Sequence, residues 1–297
     1  MKSNKAFIYL IVAALLWGAT IPIMKFTLTQ IPIFSLITIR MTFASVLLLP
    51  FVVKHIKIDK ADIKTLILAA VFGTNLNLAF FFLGLKYSLA INASIILATT
   101  PIFTLILAQF FLKEKFTIKL LLGSALAMLG VIFIVGVPIL HLNLKSTIGN
   151  LALVASALAW VGHEIFSKKV LTKYPPAIVA FYTTSIGALV FSPLFIFEFF
   201  KNPTWYNQVN LQGFLGLLYG ILFASLIAYV AWQNGLSRTS AGEASFVFYL
   251  MPLSGILFSV LLLNESFPTF LIFGAILIFL GVVLAEFHRK FHPLHRS

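Results

Sequence analysis

The sequence predicts an all-α polytopic membrane protein of ten transmembrane helices, arranged as two inverted five-helix repeats. Three observations carry this expectation: an apolar composition that water cannot accommodate, charges confined to short loops, and a chain that matches itself at a constant offset. Of 297 residues, 61% are hydrophobic and only 10% are charged. A soluble domain is about 45–50% apolar, and no water-soluble core could hide the excess. Stretches of about 18 or more residues almost free of charge recur along the chain, each long enough for a helix to cross roughly 30 Å of hydrocarbon.

Apolar runs between charged or turn-rich breaks place helices at 6–26, 34–53, 64–85, 89–112, 118–137, 148–170, 177–200, 212–236, 243–263 and 268–288. The first run follows Lys2 and Lys5 and continues past Trp17 to Pro22 without a small-residue cleavage site, so it reads as a retained helix, not a signal peptide. Residues 1–137 are expected to form the first repeat, 138–147 a connecting loop, 148–288 the second repeat and 289–297 a basic tail.

The formal charge of +13 raises nucleic acid as a partner, but its location excludes that. With the N-terminus in the cytoplasm, roughly sixteen Lys and Arg fall inside; Lys25, Lys86, Lys145 and Lys201 fall outside, and Arg40 lies within a helix. This positive-inside bias puts both termini on the cytoplasmic side of a bacterial inner membrane and assigns the charge to topology and anionic headgroups. Cysteine is absent, which removes disulfides, thiolate metal sites and thiol redox switches.

Shifting residues 84–131 by 151 positions superposes Gly84, Ala90, Ser94, Pro101, Glu114, Phe116, Gly123 and Gly130 on Gly235, Ala241, Ser245, Pro252, Glu265, Phe267, Gly274 and Gly281. A second register, offset by 143, superposes Trp17, Lys25, Pro32 and Pro50 on Trp160, Lys168, Pro175 and Pro193. The change of offset lies where the loop from Asn202 to Gln212 is longer. Five helices per copy is an odd number, so the second copy threads the bilayer in the opposite sense. Two such copies can exchange conformations about a shared central site, which is the requirement of alternating access.

The segments GLKYSLAINASIILATTPIFTLILAQFFLKEKFT and GLSRTSAGEASFVFYLMPLSGILFSVLLLNESFP are each followed by a helix carrying Gly-x6-Gly-Val. They resemble the two repeats of the EamA-like family in the drug/metabolite transporter superfamily. The opening WGATIPIMKFTLTQIPIFSLITIR, with Trp17, Gly18, Lys25, Pro32 and Arg40, resembles that family's first two helices. The resemblance covers essentially the whole chain and implies an inverted-repeat carrier of ten helices, commonly an exporter of amino acids or other small metabolites. It names no substrate. Thr183 stands where the second repeat would carry the counterpart of Arg40, so any role of that arginine is not duplicated.

Polar groups inside hydrocarbon need a partner or a wet cavity, which makes each a functional candidate. Trp160, His163 and Ser167 share one helix face, and their counterparts Trp17, Thr20 and Met24 share the matching face of the first helix, so a cavity lined from both halves is expected. Glu164 is the carboxylate placed deepest in a span. It either binds a proton or a cationic substrate, or pairs with Lys168 one turn away. His163 is either a proton carrier or a packed, hydrogen-bonding wall residue. Asn77 either contacts substrate or bonds a neighbouring helix.

Tyr249, at i+4 from Ser245 and i−3 from Pro252, is expected to line the cavity with Tyr229 and Trp232, although Trp232 is equally placed for an interfacial anchor. Pro101 and Pro252 interrupt the fourth and ninth helices, as hinges or as static kinks. Lys25 and Arg40 are expected to snorkel toward the outer interface.

No convergent acids, metal-ligand set, phosphate-cradling glycine loop or nucleophile with its base is present in the sequence. A membrane-embedded enzyme acting on a lipid or lipid-linked substrate is therefore the weaker alternative, and no cofactor is expected. The expected partners are a small polar or amphipathic solute and membrane lipids, with proton coupling through Glu164 and His163. Association of copies through the faces of Gly123, Gly130, Gly274 and Gly281 is a further expectation.

Overall fold

The computed structural model describes residues 2–88, 90–135, 144–263 and 271–287, and every regular element among them is helical. Glu265, Phe267 and the tail 289–297 lie outside the described residues, as does most of the connecting loop expected at 138–147, whose last residues open a helix instead. The first half contains α1 (Lys2–Thr27), α2 (Ile33–Val52) and α3 (Lys60–Ala70), which runs through a π-helical turn (Val71–Leu76) into α4 (Asn77–Tyr87). Next come α5 (Ala90–Leu97), α6 (Thr100–Phe111) and α7 (Ile118–Val135).

The second half contains α8 (Leu144–Val170), α9 (Pro176–Lys201) and α10 (Leu211–Tyr219), which runs through a second π-helical stretch (Gly220–Ile227) into α11 (Ala228–Leu236). It closes with α12 (Ala241–Ser245), a 3₁₀ segment (Phe246–Leu250), α13 (Met251–Leu263) and α14 (Leu271–Phe287). Among the described residues seven helices are long and apolar enough to cross a membrane, and Thr100–Phe111, Ile118–Phe133 and Ile272–Gly281 are shorter apolar helices.

Burial is inverted relative to a water-soluble protein. Phe51 and Phe200 are each 78% exposed, whereas Ser167, Thr104, His163, Glu164 and Gln233 are fully buried. With lipid as solvent, apolar rings cost nothing on the outside, and polar groups collect inside where they find partners.

Prolines set the local structure at repeat-related places. Pro32 and Pro175, with φ of −58° and −56°, precede the first residues of α2 and α9, where the fixed ring angle suits a helix start. Pro101 and Pro252 sit at the starts of α6 and α13. Neither can donate to the preceding turn, so the two helices expected to be continuous over 89–112 and 243–263 are broken, one at Ala98 and Thr99, the other at the 3₁₀ segment.

The bundle has a near face, where α1 begins, and a far face, where it ends. At the near face Lys168 donates to the carbonyls of Leu236 (2.7 Å) and Thr239. At the far face Lys25 donates to those of Leu85 and Ser88 (2.7 Å). The four carbonyls are repeat partners, and each lysine caps the C-terminal end of a helix, where carbonyls lack partners and the dipole favours a cation. Lys25 therefore does not snorkel.

Also at the near face, Glu114 accepts from the backbone N–H groups of Ala241 (2.8 Å) and Gly242 (3.3 Å), tying the end of α6 to the start of α12. Burial pushes the Glu114 carboxyl above the usual carboxylate range, opposed by those two N–H donors. Glu243 completes a capping box with Ser240 at the start of α12.

A Cβ on Gly130 would lie 2.6 Å from the Gly274 carbonyl, and one on Gly281 would lie 2.6 Å from that of Gly123. These glycines let α7 and α14 cross in contact within one chain, so the face expected to receive a second copy is consumed internally.

Candidate functional site

A cavity lies where the two halves meet, lined by Trp17, Thr20, Arg40, Asn77, Leu78, Phe81, Leu97, Thr100, Ser156, Trp160, Tyr229, Phe248 and Met251. Much of this lining comes in repeat-related pairs: Trp17 with Trp160, Leu78 with Tyr229, Leu97 with Phe248, and Thr100 with Met251. The last two pairs flank Pro101 and Pro252, so the broken helices deliver their breaks to the cavity wall.

The cavity is not symmetric about that meeting point. Thr20, Arg40, Phe81 and Ser156 line it, while their counterparts His163, Thr183, Trp232 and Ala13 are fully buried elsewhere. The open space thus leans toward the far face, and the near side is filled.

Aromatic rings form most of the wall. Trp17 and Trp160 meet edge to face with centroids 4.9 Å apart, and Tyr229 and Phe248 stand 5.6 and 6.1 Å from Trp17. Ring edges on ring faces are the favoured aromatic geometry. Trp232 packs 5.6 Å from Trp17 and 5.1 Å from Phe248 but is wholly buried, so it supports the wall from behind and is not an interfacial anchor.

Both π-helical segments hold this wall in place. A π turn replaces i+4 bonds with i+5 bonds and so frees carbonyls for other donors. In the first half, the Tyr229 hydroxyl donates to Gly73 O (3.3 Å) within the segment, and His163 Nδ1 donates to Ala69 O (2.8 Å) just before it, at the end of α3. In the second, Arg40 Nε donates to Gly220 O (3.2 Å) and Trp17 Nε1 to Ala224 O (3.0 Å). Ala69 and Gly73 are the repeat partners of Gly220 and Ala224.

Of the residues singled out from sequence, Trp17, Thr20, Asn77, Trp160 and Tyr229 line the cavity; His163, Glu164, Trp232 and Tyr249 do not. His163 has Gln233 Nε2 at 3.1 Å from its Nε2, so both ring nitrogens are engaged. Glu164 accepts from Trp160 Nε1 (3.1 Å) and Thr104 Oγ1 (2.5 Å), one layer behind the wall. The local Glu164 to Lys168 pair does not form, because Lys168 is spent on helix-end carbonyls. Asn77 bonds a neighbouring helix, donating to the Ser156 carbonyl (3.0 Å) and hydroxyl (2.9 Å) on α8, and it also lines the cavity.

Tyr249 is turned away to α7, where its hydroxyl meets Ser124 Oγ at 3.1 Å. The 3₁₀ winding of Phe246–Leu250 causes this, since it breaks the i+4 register that would have aligned Tyr249 with Ser245. Arg40, expected at the interface, is 2% exposed and reaches the cavity. Phe248, Leu97, Thr100 and Met251 were missed as lining, although the constant offset that pairs Pro101 with Pro252 also pairs these neighbours.

The EamA-like transporter family matches this chain twice, over residues 4–136 and 147–287. An uncharacterized transporter of Archaeoglobus fulgidus is 28% identical over 286 residues, covering 95% of this chain and 97% of that protein. The uncharacterized transporter YyaM of Bacillus subtilis is 25% identical, covering 96% and 95%. A probable amino-acid metabolite efflux pump of Salmonella typhimurium is 25% identical over 174 residues, covering 57% and 58%. One solved crystal structure shares the fold with a TM-score of 0.79 at 18% identity, covering 96% of this chain and 99% of its own. These likenesses separate a multi-pass transporter from an enzyme, and the chain belongs to the EamA-like transporter family of drug/metabolite transporters.

Proposed function

We propose that the protein is a secondary carrier that moves a small polar or amphipathic metabolite, an amino acid among the candidates, by alternating access, with export as the favoured direction. The observation that carries this reading is the cavity between the halves, walled by repeat-related pairs and flanked by two proline-broken helices. Related walls on either side of one site allow the two copies to trade shapes, so that the site opens first to one face and then to the other. The helices broken before Pro101 and Pro252 serve as hinges, since backbone interrupted inside the bundle is the cheapest place to bend.

In this reading the chain makes ten crossings of a bacterial inner membrane as two five-helix repeats, 1–137 and 148–288, with both termini cytoplasmic. The near face is then cytoplasmic and closed, and the cavity leans outward. The partial likeness to an amino-acid metabolite efflux pump supports the substrate class and the direction. The cavity wall suits a solute with an apolar or ring-bearing body.

Counterflow in proteoliposomes preloaded with single amino acids tests the carrier reading. Accelerated uptake of the same labelled amino acid is expected for a subset of the panel; leakage equal to protein-free vesicles across a broad metabolite panel would sink it. Coupling to protons is placed on Glu164, with His163 behind it. An imposed pH gradient should drive uphill flux in the intact chain and not in Glu164→Gln. Unchanged coupling in both Glu164→Gln and His163→Ala would remove these residues from the mechanism.

A further inference from the structure

We infer that Arg40 is the anion receptor of the cavity, and that the transported solute carries a carboxylate on an apolar or aromatic body. The inference rests on the carrier reading and names its substrate class. Arg40 is 2% exposed, sits inside a helix long and apolar enough to cross a bilayer, and lines the cavity. A guanidinium holds its charge under ordinary conditions and offers five N–H donors in a planar fork.

Its protein partners use only part of that fork. Nε donates to the Gly220 carbonyl (3.2 Å) and shares Ser225 Oγ with Nη2 (3.0 Å from Nη2), while Nη1 faces the Met24 sulfur at 3.6 Å. Its Cζ lies over the Phe82 ring, 5.4 Å from the centroid. Among the described residues no carboxylate pairs with it, and none lines the cavity. A buried charge without a counter-ion is costly, and residues of this kind in membrane spans mark substrate pathways.

The surrounding chemistry favours an anion over a cation at that end. Gly220, Ser225 and Met24 engage one N–H on each of the three guanidinium nitrogens, which presets its orientation and leaves one N–H on each terminal nitrogen. A carboxylate accepts two parallel N–H bonds from such a fork. Asymmetry between the halves supports a ligand role over a scaffolding one. The repeat partner Thr183 returns its hydroxyl to Val179 O (2.9 Å) in its own helix, and the equivalent carbonyl, Ala69 O, is served by His163 instead. The fold therefore fills this carbonyl position with a histidine in one half and installs a permanent cation on the cavity side in the other.

The test uses purified full-length protein and three probes of one shape: 3-phenylpropanoate, its neutral amide, and 3-phenylpropylamine. Binding is read by tryptophan fluorescence, which Trp17 and Trp160 report directly, and by thermal stabilisation; counterflow is measured in parallel. For the intact chain the carboxylate is expected to bind about tenfold to a hundredfold more tightly than the amide, with the amine weaker still. Arg40→Gln should abolish the preference and leave acid and amide equal, and Arg40→Lys should restore part of it, which a purely structural role would not do.

Equal binding of acid and amide by the intact chain overturns the inference whatever the variants do, and so does a preference that survives in folded Arg40→Gln. Failure of all three probes to bind also overturns it. In each of those cases counterflow of any other metabolite leaves the carrier reading standing, whereas absence of counterflow across the panel removes both.

Discussion

The two π-helical segments overlap under the repeat offset, and the equivalent carbonyls in or beside them are served by different side chains. Ala69 and Gly73 take His163 and Tyr229; Gly220 and Ala224 take Arg40 and Trp17. The lysine caps behave differently, because Lys25 and Lys168 are alike and so are their carbonyls. The contrast separates two kinds of inherited feature. Where donor and acceptor both persist in the two copies, the job is common to both, namely closing a helix end. Where the acceptor persists and the donor has changed, the backbone device is scaffold and the donor is free to specialise toward one side of the cavity.

The largest expected effect comes from breaking one π turn and sparing the other. A Cβ on Gly73 would fall on the His163 ring, which is packed on all sides, so Gly73→Val should cost about 1–3 kcal/mol in detergent unfolding. A Cβ on Gly220 would come within 2.8 Å of the Arg40 stem, which has the cavity to move into. Gly220→Val should therefore cost less stability, and equal losses would contradict the asymmetry.

The caps should show the opposite behaviour. Lys25→Met and Lys168→Met are expected to destabilise by similar amounts, about 0.3–1 kcal/mol each, measured in the same way. A loss confined to one of them would mean that the matched bonds do unmatched work. Trp17→Phe, which keeps an aromatic ring but removes the bond to Ala224 and part of the indole's packing, should cost at least about 0.6 kcal/mol, the size of an interhelical hydrogen bond in membranes.

Glu114 sharpens the comparison of the two faces through pH. Its carboxyl is raised by burial, so the folded state holds its proton more readily than the unfolded chain does. That contribution is complete below the ordinary carboxylate value and lost as pH rises through the raised one. The thermal midpoint should decline over that window, and Glu114→Gln should flatten the profile. The smallest effect belongs to the exposed pair of Lys173 and Asp62, 2.9 Å apart, whose counterparts at the far face are the neutral Gln30 and Gly213. Its carboxylate raises the Lys173 ammonium, so its contribution is present below the ordinary lysine value and lost above the raised one. Lys173→Ala should shift stability only slightly near neutral pH, and added salt should erase the difference.

The aromatic wall was largely legible before the structure. Trp17 and Trp160 are large, matched and mid-span, and a duplicated tryptophan inside hydrocarbon has few roles other than lining or packing a shared interior. Tyr249 misled because helix-face spacing assumes 3.6 residues per turn, and the segment around it winds at three. Arg40 misled for the opposite reason. A long cation in a span satisfies its charge either by reaching the interface or by finding an interior cavity, and spacing along one helix does not distinguish the two.

The sequence alone determined the helical membrane class, the duplication and the family, because these follow from composition, period and the constant offset of prolines and glycines, all properties of the chain read in one dimension. Tertiary structure decided which polar residues face the cavity and which face each other. That choice depends on where a π turn or a 3₁₀ turn rotates the helix behind it, and on whether a neighbouring helix supplies the missing partner. A carbonyl freed on one helix and a donor arriving from another some hundred or more residues away meet only in three dimensions.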